Sequence, residues 1–268
     1  MHPESASDVP DRDIFGNAPK KHRDWSHRRG EPRVFALLWM IYLMSSTMLM
    51  FSAMASAYSI SPGITRPAAR TMLTVVIVGF SILWPMVRFS QTWFTNHKGS
   101  LSSHVRAAIK DSVVIFIPMQ AVIWPQALPV LAGWPTDVVA GISAFSLSWI
   151  VILAGIIALG SLSIERNKGS ELSRAAWMIV VLFVVFAAPM AAGFGIVNST
   201  VDVAHPRVGW LLSPFAGLYE ITRDRTELGL SASIFIEHWR MIIAQLCVGG
   251  ALLLIARASE VATRRYRA

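Results

Sequence analysis

The chain has 268 residues, of which 54% are hydrophobic and only 15% charged, and it carries a net charge of +8. That balance points away from a soluble domain and toward a membrane protein, whose basic excess needs no nucleic-acid partner if it lies on one side of the bilayer. The single cysteine, Cys247, excludes an internal disulfide, and no Cys/His spacing fits a zinc site.

Residues 1–33 are polar, with basic runs at Lys20-Lys21-His22-Arg23 and Arg28-Arg29. Nothing in them can build a core, so the sequence predicts a mostly disordered tail. Its last part, Asp24 to Arg29 with Trp25, has the composition of a segment lying on a membrane surface. Six apolar stretches follow, at 34–60, 71–89, 112–133, 137–163, 175–197 and 239–256. A bilayer core about 30 Å thick needs roughly 20 apolar residues in a helix. The expected fold is therefore all-α, a polytopic membrane protein of six transmembrane helices over 34–256, closed by a basic tail at 257–268. The first stretch is longer than the core of a secretory signal, so it reads as an uncleaved span despite the small residues at Ala53 to Ala57.

Ser61-Pro62-Gly63 is a turn signal after the first span, and Arg66 and Arg70 fall in the short loop beyond it. In the loop at 90–111, Leu101, His104, Val105 and Ile109 lie close to one helical face. The third span contains Pro118, Pro125 and Pro129, which predict a kink or break. Gly133-Trp134-Pro135 predicts a tight turn, with Asp137 at the boundary of the fourth span. Glu165 to Glu171 is a compact charged loop. The connection at 198–238 holds two apolar pieces too short to span, from Trp210 to Tyr219 and from Leu228 to Ile236. The first should open as a short helix at Pro214.

Basic residues are unevenly shared between the two sides. The N-terminal segment, the 90–111 loop with Arg88, the 164–174 loop and the C-terminal tail together hold eighteen Lys and Arg, and the opposite loops hold six. This positive-inside bias predicts both termini in the cytoplasm, in a bacterial plasma membrane. Trp39, Trp84, Trp93 and Trp177 fall near one predicted interface and Trp134, Trp210 and Trp239 near the other, as an aromatic belt would place them. Trp124 and Trp149 fall mid-span and read as packing residues.

Chemistry is sparse. The span interiors are expected to hold essentially no Asp, Glu, Lys, Arg or His, which argues against a carboxylate-coupled carrier. The histidines lie in tails, loops or a span edge, so no haem ligand pair is foreseen. Asp202, His205, Glu237 and His238 bracket the 198–238 segment without a diagnostic metal spacing, and solvated loop residues account for them. No phosphate loop, nucleophile elbow or His-Glu-x-x-His pair occurs. No catalytic motif, cofactor or metal is expected. Ser45, Ser46, Thr47, Gln120 and Gln245 either line a path or hydrogen-bond within and between helices.

Six spans, a basic N-terminal stretch leading into the first, and Leu212-Ser213-Pro214-Phe215-Ala216-Gly217-Leu218-Tyr219 between the fifth and sixth together resemble the permease subunit of an ABC-2 type transporter. The last segment is similar to the family's Ser/Asn-Pro-hydrophobic element. The resemblance implies separate cytoplasmic ATPase subunits, because this chain has no phosphate loop, and a second membrane subunit. The family's charged Glu- and Gly-containing stretch follows the second span. Here the nearest similar string, Glu165-Arg166-Asn167-Lys168-Gly169-Ser170-Glu171-Leu172, follows the fourth. The implied partner-binding residues are Glu165, Arg166, Lys168, Glu171 and Arg174. A non-catalytic structural or assembly subunit has an equally apolar interior and stands as the alternative, with a membrane enzyme acting through 198–238 as a third reading.

Overall fold

A computed structural model describes residues 32–55, 61–90, 104–193, 206–225 and 232–267. Its described residues are helical, with no strand. The order is α1 (Pro32–Ala55), α2 (Pro62–Val78), a π-helical turn at Gly79–Leu83, α3 (Trp84–Ser90), α4 (His104–Ile123), a 3-10 turn at Trp124–Ala127, α5 (Thr136–Arg166), α6 (Glu171–Gly193), a 3-10 turn at Val208–Leu212, α7 (Pro214–Thr222) and α8 (Ile236–Arg267). Five helical stretches are long and apolar enough to cross a membrane: Val34–Ala55, Pro62–Ser90, His104–Ala127, Thr136–Arg166 and Ile236–Thr263. The protein is an all-helical membrane protein.

Every span begins or ends differently from its hydropathy boundary, for one physical reason. Hydropathy marks the part of a helix that lipid or core covers, whereas the helix continues until a turn residue stops it. At 1.5 Å per residue the 31 residues of α5 run about 46 Å, well beyond a hydrocarbon core of about 30 Å. Thus α2 starts nine residues before 71, with Pro62 in its first turn, where the missing N–H costs nothing. Ser61 O there accepts the Ile64 and Thr65 amides at 2.9 and 3.0 Å. The turn signal at 61–63 therefore opens α2. α8 likewise continues through 257–267, the segment read as a tail.

α5 is the central staff, and it packs against α3, α4, α6, α7 and α8. Glycines on both helices bring α5 and α8 into close contact. A Cβ on Gly249 would lie 2.8 Å from Ile152 N, and one on Gly155 would lie 2.5 Å from Leu252 Cβ. Small residues let the two helices approach this closely, which is where dispersion contacts accumulate without any hydrophobic drive in lipid. α1 rests on the π turn: Trp39 and Tyr42 are stacked 5.5 Å apart, and both rings occupy the space a Cβ on Gly79 would need. The Tyr42 hydroxyl donates to Val75 O at 2.6 Å and the Trp39 indole to Ile115 O at 3.0 Å, joining α1 to α2 and α4.

The helices alternate in direction. The first turns of α1 meet Arg88 through Phe35, α4 starts beside Glu165 at the end of α5, and the last turns of α8 meet Arg166. All of these lie at one end of the bundle, together with the α5–α6 turn. The opposite end carries α7 and the starts of α2, α5 and α8. Pro118 stays inside α4, and the break falls at Trp124–Ala127. Gly133, at φ 60°, makes the predicted turn, with the Trp134 amide donating to Gln126 O at 3.2 Å.

Two sequence expectations need correction. Trp39, Trp84 and Trp134 are buried in the core rather than forming a belt, and Trp124, expected to pack, is 45% exposed. An indole can turn inward when a carbonyl or carboxylate receives its N–H, as happens at Trp39. Trp149 does pack, donating to Leu211 O at 3.3 Å. The polar residues of the spans are likewise used internally. Ser45, Ser46 and Thr47 donate to carbonyls four residues back, at 2.9 Å each. Gln245 joins Ser148 to Leu211 O at 2.9 and 2.6 Å, and Gln120 accepts from Ser143 at 2.6 Å.

Candidate functional site

The end of the bundle holding the α5–α6 turn carries the residues singled out from sequence. α5 stops in a left-handed turn: Lys168 has φ 53° and Gly169 φ 75°. The Gly169 amide reaches back to Ile164 O at 2.8 Å and the Lys168 amide to Glu165 O at 3.2 Å, a closure that satisfies carbonyls the helix end would leave bare. The five residues then divide. Glu165 accepts from or pairs with His104 Nε2 at 2.7 Å, tying α5 to α4. Arg166 donates to Ser259 O at 3.1 Å and to the Thr263 hydroxyl, tying α5 to α8. Lys168 is exposed at the turn. Glu171 is 87% exposed and pairs with Arg174 at 3.2 Å, one turn along α6. Beside them, Arg166, Asn167, Lys168, Ser170, Leu172 and Trp177 line an open hollow of about 640 Å³. Leu172 is 80% exposed at its rim. So the turn presents Lys168, Glu171 and Leu172 outward, while Glu165 and Arg166 hold the three helices beneath it. Glu260 adds a further tie, accepting the Val105 amide at 3.2 Å and Arg257 at 3.0 Å.

Also toward this end lies a buried ion pair where the sequence reading placed no ionisable residue inside the helices. Arg88 on α3 and Asp111 on α4 are 5% and 3% exposed and are joined through two guanidinium nitrogens. The Trp84 indole donates to the same carboxylate at 3.3 Å. α4 starts at His104 rather than 112, so Asp111, read as the last loop residue, stands two turns inside a helix. Sequence spacing could not pair Arg88 with Asp111 because residues 91–103 intervene.

The α7 end is the larger polar assembly, and sequence reasoning missed it. Pro214 opens α7 at its first turn, as predicted, after the 3-10 turn at Val208–Leu212. Gly217 lets the short helix sit on α5, since a Cβ there would lie 2.3 Å from Phe145 Cζ. This packing carries Glu220, fully buried, into a ring of donors. Its Oε1 receives the Arg207 amide at 3.1 Å, Arg223 at 3.3 Å and Arg225 at 2.9 Å, with His238 Nε2 at 3.8 Å. The Phe235 amide donates to His238 Nδ1 at 3.1 Å, which leaves Nε2 as the protonated nitrogen facing Glu220. Burial pushes the Glu220 carboxyl up, but His238, the Arg207 amide, Arg223 and Arg225 more than offset it, and its pKa is held below the usual value. Next to it, Asp224 bridges Arg66 at 2.6 Å and Arg70 at 2.8 Å. Arg66 also donates to Ala132 O at 3.1 Å, and Arg70 to the Thr222 hydroxyl at 3.3 Å. α2, α7, α8 and the α4–α5 connection are thereby clamped together.

No group of three or more potential metal ligands occurs among the described residues. Asp202 and His205 lie outside them, as do residues 1–31, Trp93, His97 and Leu101, and His238 is committed to Glu220 and Phe235. Comparison with protein-family models, with curated proteins and with solved structures finds no match to this chain.

Proposed function

We propose that the chain is the permease subunit of an ATP-driven, ABC-2-like membrane transporter that works with separate ATPase subunits and a second membrane subunit. The observation that carries this reading is the pairing of an alternating helix bundle with a short helix, α7, that falls between the last two long helices in the chain and packs on α2 and α5 at the end opposite the α5–α6 turn. In this reading α6, 23 residues long and antiparallel to α5, is the fifth of six spans, and α8 is the sixth. Both termini are cytoplasmic, as the eighteen-to-six division of basic residues favours. The α5–α6 turn then faces the cytoplasm, and α7 caps the outer side.

A docking ATPase needs a rigid polar surface. Lys168 and Glu171 supply one, with the exposed apolar Leu172 beside them, on a turn that Glu165 and Arg166 brace against α4 and α8. The tight α5–α8 contact leaves no room for a path there, so the path lies at the seam with the second membrane subunit. The exposed apolar face of α1 (Leu37, Ile41, Met44 and Met48) suits that seam. The same bracing also suits a non-catalytic assembly subunit, which needs a rigid turn but no path. Purification in mild detergent, with the neighbouring genes expressed, separates the two. Co-purification of an ATPase that is lost in Glu171→Ala and Lys168→Ala supports the permease reading. A stable assembly that contains no ATPase establishes the alternative.

A further inference from the structure

The hollow beside the α5–α6 turn differs from the buried ion pairs in being open. Arg166, Asn167, Lys168 and Ser170 on its lining are exposed, and its volume of about 640 Å³ falls in the range of about 300–1,000 Å³ typical of small-molecule sites. Its polar groups lie close together: Asn167 Nδ2 donates to Ser173 Oγ at 3.4 Å, and the Ser173 amide to Ser170 Oγ at 3.3 Å. Two cations and no carboxylate line it. Both hydrogen bonds of Arg166 leave from Nη2 and end on neutral oxygens, Ser259 O and Thr263 Oγ1. Lys168 makes no ion pair among the described residues. The acids nearest in sequence, Glu165 and Glu171, are paired with His104 and Arg174 and stand outside the lining.

Along α5 the hollow passes from charged residues to apolar ones. Trp177, on its lining, lies against α5 at Gly160, where an added Cβ would meet Trp177 Cδ2 at 3.0 Å. Gly160 precedes Arg166 by six residues, about 9 Å along a helix. A helix as long as α5 ends beyond the hydrocarbon. Arg166 and Lys168 therefore stand at headgroup level and Trp177 at the edge of the acyl chains, the depth that indoles favour. From the hollow, Leu172, Ala176, Val180 and Phe183 continue one exposed face of α6 at the three- and four-residue spacing of a helical stripe. Charge, hydroxyls and an apolar track are thus met in that order by anything entering from the membrane surface.

We propose that this hollow binds the headgroup of an anionic phospholipid, a phosphodiester bearing hydroxyls as in phosphatidylglycerol, from the leaflet at this end of the bundle. Arg166 and Lys168 neutralise the phosphate, the hydroxyls of Ser163, Ser170 and Ser173 and the amide of Asn167 bond the glycerol, and an acyl chain follows the Leu172–Phe183 face. A choline or ethanolamine head would bring a third cation to the site with no carboxylate to receive it. A soluble phosphate would leave the apolar track uncovered. The inference is independent of the transport reading, since lipid is bound without an ATPase.

The test places the full-length protein in nanodiscs of phosphatidylglycerol and phosphatidylcholine in equal parts and reads the lipid that stays bound by native mass spectrometry. Phosphatidylglycerol should be retained over phosphatidylcholine by at least about tenfold, from two cations at about fivefold each. Lys168→Asn removes one charge and keeps a residue suited to φ 53°, and it should lower the preference about fivefold. Ala176→Phe, which fills the hollow from an exposed position, should lower it at least as much. If Ala176→Phe melts earlier than the wild type, Lys168→Asn alone decides. Arg240→Gln, at an exposed cation on the opposite end, should leave the preference intact. Glu171→Ala, expected above to lose the ATPase, should keep the lipid, so the two readings fail separately. A competition arm adds glycerol 3-phosphate, which should not displace the lipid; displacement would assign the hollow to a soluble phosphate compound and overturn the proposal. Equal retention of the two lipids, unchanged retention in Lys168→Asn, or an equal loss in Arg240→Gln overturns it as well.

Discussion

Asp111→Ala is expected to destabilise the bundle severely, and the size of the effect follows from what the carboxylate holds. Its partner Arg88 is 5% exposed, and Asp111 accepts two guanidinium hydrogens and the Trp84 indole. Removing it strands a buried cation, for which the cost is about 3–5 kcal/mol. At roughly 2–4 °C per kcal/mol for a chain of this size class, the melting temperature should fall by about 10 °C. The double variant Arg88→Met with Asp111→Leu removes both charges and leaves neutral groups such as the Trp84 indole N–H bare, at about 1–3 kcal/mol each. It should therefore be more stable than the single variant. Thermal unfolding in detergent, followed by tryptophan fluorescence and by retention on size exclusion, reads both. An Asp111→Ala protein that melts with the wild type would show that this pair is not buried as described. A double variant no better than the single would show that the stranded charge is not the cause.

Further outcomes follow from other contacts. Gly249→Leu should prevent the close α5–α8 approach, because even a Cβ meets the Ile152 amide nitrogen at 2.8 Å. A loss of at least about 1–3 kcal/mol is expected, seen as a lower melting temperature, with Gly250→Leu, which has open space around it, as the tolerated control. Glu220 has a folded-state pKa below its unfolded one, so its contribution is complete above the ordinary carboxylate pKa of about 4.3 and is lost as pH falls through the lowered value. Melting temperature between pH 6 and 3 should carry that acid-side loss in the wild type and a smaller one in Glu220→Gln, which starts lower at pH 7. Reporter fusions at Gly63, Lys98, Thr136, Asn167, Arg223 and the C-terminus should alternate in location. An extracytoplasmic C-terminus would contradict the proposed orientation.

The sequence by itself determined the class of molecule and the rhythm of its helices. Stretches of about 20 apolar residues have few other fates, and Pro214, Gly133 and the Lys168-Gly169 turn are local devices whose backbone needs are visible without neighbours. It also singled out the Glu165–Arg174 turn, though not its division of labour. Glu165 and Arg166 look as free as Glu171 until α4 and α8 are laid beside them. What only the tertiary structure decided is the fate of charge and of indole. Hydropathy treats each ionisable residue as a cost borne alone, so it assigns Arg88 and Asp111 to an interface and a loop, and Arg66 and Arg70 to a short connecting loop. In the folded chain each is held by a partner far away in sequence: Asp224 lies more than 150 residues from Arg66 and Arg70. Glu220 gathers donors from two sides of α7 and from α8. A buried charge is stable only when its partner is in place, and the partner's position is a property of helix packing that no window along the chain can contain.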